Sequence, residues 1–91
     1  MVIYKVVKRN GSMEKFQPKK IYNAVSKTLK HVDPKNMPKA RKLTHEILNI
    51  LNKKYKSKTI PVETIKKTVR HVLLKHKMTN AARFYTLHRY I

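Results

Sequence analysis

The sequence predicts an α+β fold that is mainly helical, in which a small N-terminal β-hairpin caps a four-helix bundle. Three observations carry this prediction. They are a valine-rich stretch that runs into Asn10-Gly11, apolar residues that recur at helical spacing in four later segments, and a proline or threonine near the start of each of those segments. Because 91 residues make one ordinary domain, we expect residues 1–91 to form a single unit.

The hairpin is predicted from residues 2–7 and 13–16. Valine, isoleucine and tyrosine dominate the first of these stretches, and such side chains favour extended backbone. Asn10-Gly11 between the two stretches is a strong hairpin signal, because both residues tolerate positive φ and the chain has no other glycine. Thr59-Ile60 predicts a further short strand, which would make the sheet three-stranded.

The helices are predicted from periodicity and from their first residues. Proline suits a first helical turn, where its missing N–H is not needed, and threonine suits an N-cap. We expect helices from Pro18 to about Val32, from about Pro38 towards Lys53, from Pro61 to about Lys77, and from an N-cap at Thr79 towards His88. The residues expected to face the core are Ile21, Ala24, Val25, Thr28, Leu29, Val32, Leu43, Ile47, Ile50, Leu51, Ile65, Val69, Val72, Leu73, Ala81, Ala82, Phe84 and Tyr85.

The composition excludes several classes of function. Lysine and arginine total 23 against 4 acidic residues, so the net charge is +19 and most cations must face water or an external anion. The absence of cysteine excludes a disulfide framework and a thiolate zinc site. The acids are few and separated, which makes hydrolytic chemistry hard to build. No apolar run approaches the ~18 residues of a membrane span, so we expect no membrane partner and a cytoplasmic location.

The first candidate site combines the hairpin with the start of the first helix. Lys8 and Arg9 flank the turn, while Lys19 and Lys20 fall in the first helical turn. A helix N-terminus suits a phosphate, and cations placed there cost about 0.3–1 kcal/mol each unless an anion joins them. Two interpretations stay open, a phosphate site and a set of solvated lysines in a lysine-rich chain. Glu14 could accept a hydrogen bond from a ribose or base, or form a surface ion pair contributing about 0–1 kcal/mol.

The histidines do not predict a metal site. His45-Glu46 begins a zinc-binding motif, but Asn49 stands where the second histidine belongs. His71 and His76 are five residues apart, and this spacing does not align two ligands on one helical face. We expect His88 to be a hydrogen-bonded residue in the core or at its rim.

Nucleic acid is a second candidate partner, because a chain of this charge binds polyphosphate backbones electrostatically. The lysines are spread over every predicted element, however, whereas a protein that recognises base edges usually concentrates its contacts on one element. The aromatic residues also form no spaced stacking series.

Three stretches of the sequence resemble the ATP-cone domain family. The stretches are residues 6–16 followed by Lys20-Ile21, residues 60–65 followed by Val69, and residues 81–85 followed by Arg89. In the family the first reads as a valine-rich strand, Lys-Arg-Asp/Asn-Gly, a spacer, Glu and then Lys-Ile. The second reads Ile-Ser/Thr-Val-Glu-x-Ile-x-x-x-Val, and the third closes on Ala-Arg-x-Tyr and a final arginine. The resemblance covers essentially the whole chain.

The resemblance implies a regulatory nucleotide-binding domain rather than an enzyme. ATP-cones bind ATP or dATP, and Mg²⁺ can accompany the nucleotide. In ribonucleotide reductases this binding switches the activity of the enzyme by changing its oligomeric state. They also form the body of a bacterial repressor of reductase genes. The implied partners are therefore a nucleotide, further copies of the chain, and a reductase or another regulated protein, with no structural metal. The alternative is a small basic DNA- or RNA-binding regulator related to that repressor but lacking its zinc ribbon.

The resemblance also implies a role for individual residues. Val6 would pack on the base, Lys8 and Arg9 would meet the phosphates, Glu14 and Gln17 would hold the base or ribose edge, and Lys20 and Lys66 would reach the phosphates from the first and third helices. The chain departs from the family pattern at Gln17, which replaces Asp or Asn, and at Pro61, which replaces Ser or Thr.

Overall fold

Within residues 3–55 and 58–88, the part of the chain that the structure describes, a three-stranded sheet packs on four α-helices. This computed structural model confirms the predicted α+β, mainly helical class. In chain order the elements are β1 (Lys5–Val7), β2 (Met13–Lys15), α1 (Pro18–Val32), a 3-10 helix (Pro34–Lys39), α2 (Ala40–Lys54), β3 (Thr59–Pro61), α3 (Val62–Lys75) and α4 (Thr79–His88). Val2 and Arg89, which the sequence patterns included, lie outside the described residues.

The sheet has β1 in its centre, with β2 antiparallel on one side and β3 parallel on the other. Val6 lies opposite Glu14 on β2 and beside Ile60 on β3. Val6 and Ile60 belong to the same core cluster as the helices, so this face of the sheet rests on the bundle. The further strand predicted at Thr59-Ile60 is present and extends to Pro61. Proline is tolerated there because β3 is an edge strand.

The hairpin turn uses its glycine but not its asparagine for the left-handed conformation. Gly11 has φ 84°, and among the described residues only Lys77 shares a positive φ with it. The predicted hairpin is present, but Asn10 does not use its tolerance of positive φ. Asn10 contributes through its side chain instead, because its Oδ1 accepts hydrogen bonds from the backbone N–H and the hydroxyl of Ser12.

The connection between α1 and α2 differs from the prediction. Helix α1 runs from Pro18 to Val32, as expected, but the helix predicted to open near Pro38 begins at Ala40. The preceding segment, Pro34–Lys39, is a 3-10 helix with Pro38 inside it. Pro34 and Pro38 both lack an N–H, and proline disfavours the α conformation in the residue before it. The segment therefore keeps the tighter helix until Pro38 is passed.

Helix α3 begins and ends slightly inside its predicted bounds. Pro61 is its N-cap in extended backbone (φ −66°, ψ 142°) rather than its first helical residue, and Lys75 is its last. The N–H of Lys77 donates to the carbonyl of Leu74, and the N–H of Met78 donates to that of Leu73. This pair of bonds is a Schellman motif, with Lys77 at φ 62° in the position that glycine usually takes. Helix α4 then begins at Thr79, so Thr79 is its first helical residue and the helix starts one residue earlier than the predicted N-cap at Thr79 would place it.

The core is built from all four helices and the inner face of the sheet. Leu29, Ile47 and Val69 are each 0% exposed, and Tyr85 is 1% exposed. Val32, Ile50 and Phe84, which were expected in the core, are only partly buried. Three threonines are also buried, and each satisfies its hydroxyl by donating to the carbonyl four residues earlier in its own helix. They are Thr28, Thr44 and Thr68.

Candidate functional site

The main cleft lies between the hairpin, the first half of α1 and the start of α3, and its volume is about 280 Å³. Five of the seven residues predicted for the site line it: Val6, Lys8, Glu14, Gln17 and Lys20. The alternation of β-strands explains part of this grouping. Val6 and Glu14 are cross-strand partners, so their side chains leave the sheet on the same face.

The carboxylate of Glu14 forms ion pairs with two cations from different elements in the main cleft. It lies 3.1 Å from Lys8 Nζ on the hairpin and 3.5 Å from Lys20 Nζ on α1. The hydrogen bond from Lys8, helped by the charge of Lys20, lowers the pKa of Glu14 from its ordinary value of 4.5. The two ammonium groups therefore converge on a single oxyanion.

The wall of the main cleft is apolar beneath this charged rim. Phe16 is 7% exposed and Ile21 is 2% exposed, and both line the cleft together with Val62 and Ile65. Apolar walls with a few convergent polar groups are typical of small-molecule sites.

The N-terminus of α1 adds positive potential to the same region. Gln17 is the N-cap but makes no side-chain capping bond, Pro18 follows it, and the first turn contains no acidic residue. Lys19 and Lys20 occupy that turn instead. Because the helix dipole is positive at this end, the turn and its lysines favour an anion.

The structure places the other two predicted residues in a second, neighbouring cleft of about 210 Å³ around Glu63. Arg9 Nε lies 2.8 Å from Glu63 Oε1, and Lys66 Nζ lies 3.8 Å from the same oxygen. Lys8 and Arg9 are adjacent in sequence but reach different clefts. The seven predicted residues therefore divide into a group of five around Glu14 and a pair around Glu63.

Tyr85 closes the bottom of the second cleft. Its side chain is 1% exposed, and its hydroxyl oxygen has no hydrogen-bond partner in the described part of the chain. Burial raises the pKa of the Tyr85 phenol, and the charge of Glu63 raises it further. Thus a buried hydroxyl without a partner lies beside the Glu63 cluster.

Sequence reasoning did not assign several residues that line the two clefts. Asn23 and Lys27 line the main cleft, three and seven positions after Lys20, and this helical spacing places them on the same face. Lys67 and Arg70 line the second cleft. The spacing on α1 could have revealed the first pair. Lys67 and Arg70 follow Glu63 by four and seven positions, so the spacing on α3 could have placed the second pair on the face of Glu63 as well.

The histidines take other roles. His76 Nε2 lies 2.8 Å from Glu46 Oε1, and no group of three or more potential metal ligands is found among residues 3–55 and 58–88. His88 was expected in the core or at its rim; it is exposed, which contradicts the core alternative, and it stacks on the partly buried Phe84 with 3.9 Å between ring centroids. The end of α4 leaves this ring at the surface.

Comparison with known families gives a match over almost the whole chain. The sequence profile of the ATP cone domain matches residues 4–91, a span that contains both clefts and all four α-helices. No curated protein matches the chain. None of the helices in the described residues combines the length and apolar character needed to cross a membrane.

Proposed function

Since the chain belongs to the ATP-cone family, whose members are nucleotide-binding regulatory domains, we propose that it senses ATP and dATP in the main cleft. Its output would be a change in assembly or in contact with a regulated protein, such as a ribonucleotide reductase. A sensor of this kind acts in the cytoplasm, where it meets nucleotides together with Mg²⁺.

The observation that carries the proposal is the convergence of Lys8 and Lys20 on one carboxylate within 3.5 Å. Lys8 contacts Oε1 and Lys20 contacts Oε2 of Glu14, and the oxygens of a phosphate group can take the place of these two carboxylate oxygens. Charge-assisted hydrogen bonds contribute about 1.5–3 kcal/mol each. Two or three of them, together with base packing, support roughly micromolar affinity after the costs of association.

The nucleoside end of the ligand would lie over the apolar wall of the main cleft. We assign packing on the base to Val6, and hydrogen bonds to the base or ribose edge to Gln17 and Glu14. Arg9 and Lys66 would meet the far end of the phosphate chain, because each follows directly in sequence a residue that lines the main cleft, Lys8 and Ile65.

Binding without turnover fits the chemistry of the main cleft. An ATPase needs a group that activates water, and Glu14 is the acid that lines this cleft. Its carboxylate is held by two lysines and its pKa is lowered, so it is a weaker base than an ordinary glutamate.

The test is isothermal titration with ATP at about 0.15 M salt, where distant charges are screened. Lys8→Ala and Lys20→Ala should each weaken ATP binding by about tenfold or more, because each removes one charge-assisted hydrogen bond. Lys42→Ala is the matched control, since Lys42 is exposed on α2 and lines neither cleft. Wild-type affinity no tighter than millimolar, or equal losses in all three variants, would contradict the proposal.

The output is tested by light scattering of the wild-type chain with and without ATP and dATP. A nucleotide can shift assembly only if it binds the two states with different affinity. We therefore expect a change in molar mass that Lys20→Ala abolishes at the same nucleotide concentration.

A further inference from the structure

The Glu63 cleft holds more positive charge than its own acid can neutralise. Arg9, Lys66, Lys67 and Arg70 line it with Glu63, so four cations surround one carboxylate. The side chain of Lys66 is only 17% exposed, so its ammonium is partly removed from water. A cleft of this kind favours an additional anion.

Glu63 itself occupies an anion position. It lies in the first turn of α3, where the helix dipole favours negative charge, and its Oε1 accepts the hydrogen bond from Arg9 Nε at 2.8 Å. The pair is exposed, with 58% of the Arg9 side chain and 45% of the Glu63 side chain accessible. Exposed ion pairs contribute little to stability, so an incoming anion can displace this carboxylate readily.

Tyr85 gives a second observation that points to a ligand. It lines the same cleft, is 1% exposed, and its hydroxyl lacks a hydrogen-bond partner in the described residues. A buried polar group without a partner is costly, and a phosphate oxygen or its bound water would supply the missing partner.

We propose that the Glu63 cleft is a phosphate-binding subsite, and that the Glu63 carboxylate fills it as an internal anion until a phosphate group replaces it. Arg9 then turns its planar guanidinium from the carboxylate to the phosphate, a geometry that suits both. Lys67 and Arg70 complete the subsite. The phosphate belongs either to the far end of a nucleotide in the main cleft, in which case the inference rests on the proposed function, or to a separate phosphate-bearing molecule.

The first test compares Glu63→Gln with Glu46→Gln. Both variants lose one negative charge and one set of ion pairs, but Glu46 contacts Lys75 and His76 and lines neither cleft. Glu63→Gln should bind ATP about two- to fivefold tighter, because the phosphate no longer has to break the exposed ion pair between Arg9 and Glu63. The affinity for AMP should change less. Glu46→Gln should change neither. Equal gains in both variants, or weaker ATP binding by Glu63→Gln, would overturn the proposal.

A second pair of variants tests the cations without altering Glu63. Lys67→Ala should weaken ATP or pyrophosphate binding by about two- to tenfold, because it removes one phosphate contact, whereas Lys42→Ala should not. Equal effects of the two variants would show only a loss of bulk charge, and would count against the subsite.

The source of the phosphate is distinguished by titrating inorganic pyrophosphate into protein saturated with AMP and into protein saturated with ATP. If pyrophosphate binds the AMP-loaded protein but not the ATP-loaded protein, the subsite holds the end of the nucleotide's own phosphate chain. Binding to both assigns it to a separate molecule, and binding to neither overturns it. If the proposed function fails instead, wild type and Lys8→Ala bind ATP equally, and the pyrophosphate titration of the unloaded protein still reports on the subsite.

Discussion

At the scale of single residues, two backbone positions in the described part of the chain adopt positive φ, and they are filled by very different side chains. Gly11 at φ 84° meets no steric penalty, and no atom lies within 4 Å of where a Cβ would stand. Lys77 at φ 62° brings a Cβ into a conformation that costs an L-residue about 1–2 kcal/mol. Glycine would therefore suit the backbone conformation at position 77 better than lysine does.

Lys77→Gly should stabilise the protein by about 0.5–1 kcal/mol. Relief of the left-handed strain outweighs the greater freedom that glycine gives the unfolded chain. Urea denaturation measures the change. Lys67→Gly, the same exchange inside α3, is the control and should destabilise by about 1 kcal/mol. A loss of stability at position 77 would show that the lysine side chain contributes more than its strain costs.

The directions in which side chains point explain which residues of the two clefts could be predicted from the sequence. Lys8 and Arg9 were treated as one group because they are adjacent, but neighbouring residues at a strand end point to opposite sides. Lys8 follows Val6 towards Glu14, and Arg9 turns towards Glu63. The pair Lys8 and Lys20 could be foreseen from the turn and the helix start. The pair Glu63 and Lys66 could also be foreseen, because they are three residues apart on one helix, whereas the contact of Arg9 with Glu63 could not, because it depends on how the hairpin packs against α3.

At the scale of elements, three glutamates join separate parts of the fold. Glu14 links the hairpin to α1, Glu63 links the hairpin to α3, and Glu46 links α2 to the C-terminal end of α3. The first two lie in the clefts, where a ligand would compete for their cations. Glu46 lies in neither cleft, so its contacts to Lys75 and His76 are structural.

The contact between α2 and α3 should make stability depend on pH. The hydrogen bond from His76, and next that from Lys75, lowers the pKa of Glu46 from 4.5. The folded carboxylate therefore keeps its charge to lower pH than the unfolded one. It contributes stability above about pH 4.5, and that contribution is lost as the pH falls through the lowered folded value.

Glu46→Gln should therefore cost about 0.5–1 kcal/mol at neutral pH, since the cluster is partly exposed, and progressively less below pH 4.5. Urea denaturation of both proteins across this range measures the difference. Asn49→Gln on the same helix is the control, because it changes no charge. If the difference in free energy of unfolding stays constant down to about pH 3, the glutamine perturbs packing rather than removing an ion pair.

Element boundaries were predictable where one residue decides them. Pro18 begins α1 as expected, and Thr59-Ile60 forms a strand. The 3-10 segment Pro34–Lys39 and the end of α3 were not predicted. The first depends on two prolines acting together. The second depends on a Schellman motif, which usually contains a glycine but has Lys77 in that position here.

At the scale of the whole molecule, the periodicity of apolar residues was enough to give the fold, because one face of each helix must be buried. The charge pattern was not enough to give the site, because 23 cations are spread over every element. Only the positions of the acids distinguish among these cations. Lys8 and Lys20 are drawn together by Glu14, and Arg9 and Lys66 by Glu63, whereas most other lysines face water.

The same excess charge sets the response of the molecule to salt. A net charge of +19 on one small chain repels itself, and compact packing brings those charges closer than the unfolded chain does. Added salt screens this repulsion, so the melting temperature should rise between about 0.05 and 0.5 M NaCl. ATP affinity should fall over the same range, because screening also weakens the lysine–phosphate contacts. Folding and binding therefore respond to salt in opposite directions.

Thermal melts and ATP titrations across one salt series check both responses. A variant with Lys42→Glu and Lys54→Glu, two exposed positions on α2 that line neither cleft, has a net charge lower by four and should show a smaller rise in melting temperature. Its ATP affinity at about 0.15 M salt should stay close to wild type, because charges farther than a Debye length of about 8 Å are screened from the ligand. A melting temperature that falls with salt would mean that the glutamate ion pairs outweigh the repulsion. An ATP affinity that tracks net charge in this variant would mean that the main cleft attracts nucleotide through bulk charge rather than through Lys8 and Lys20.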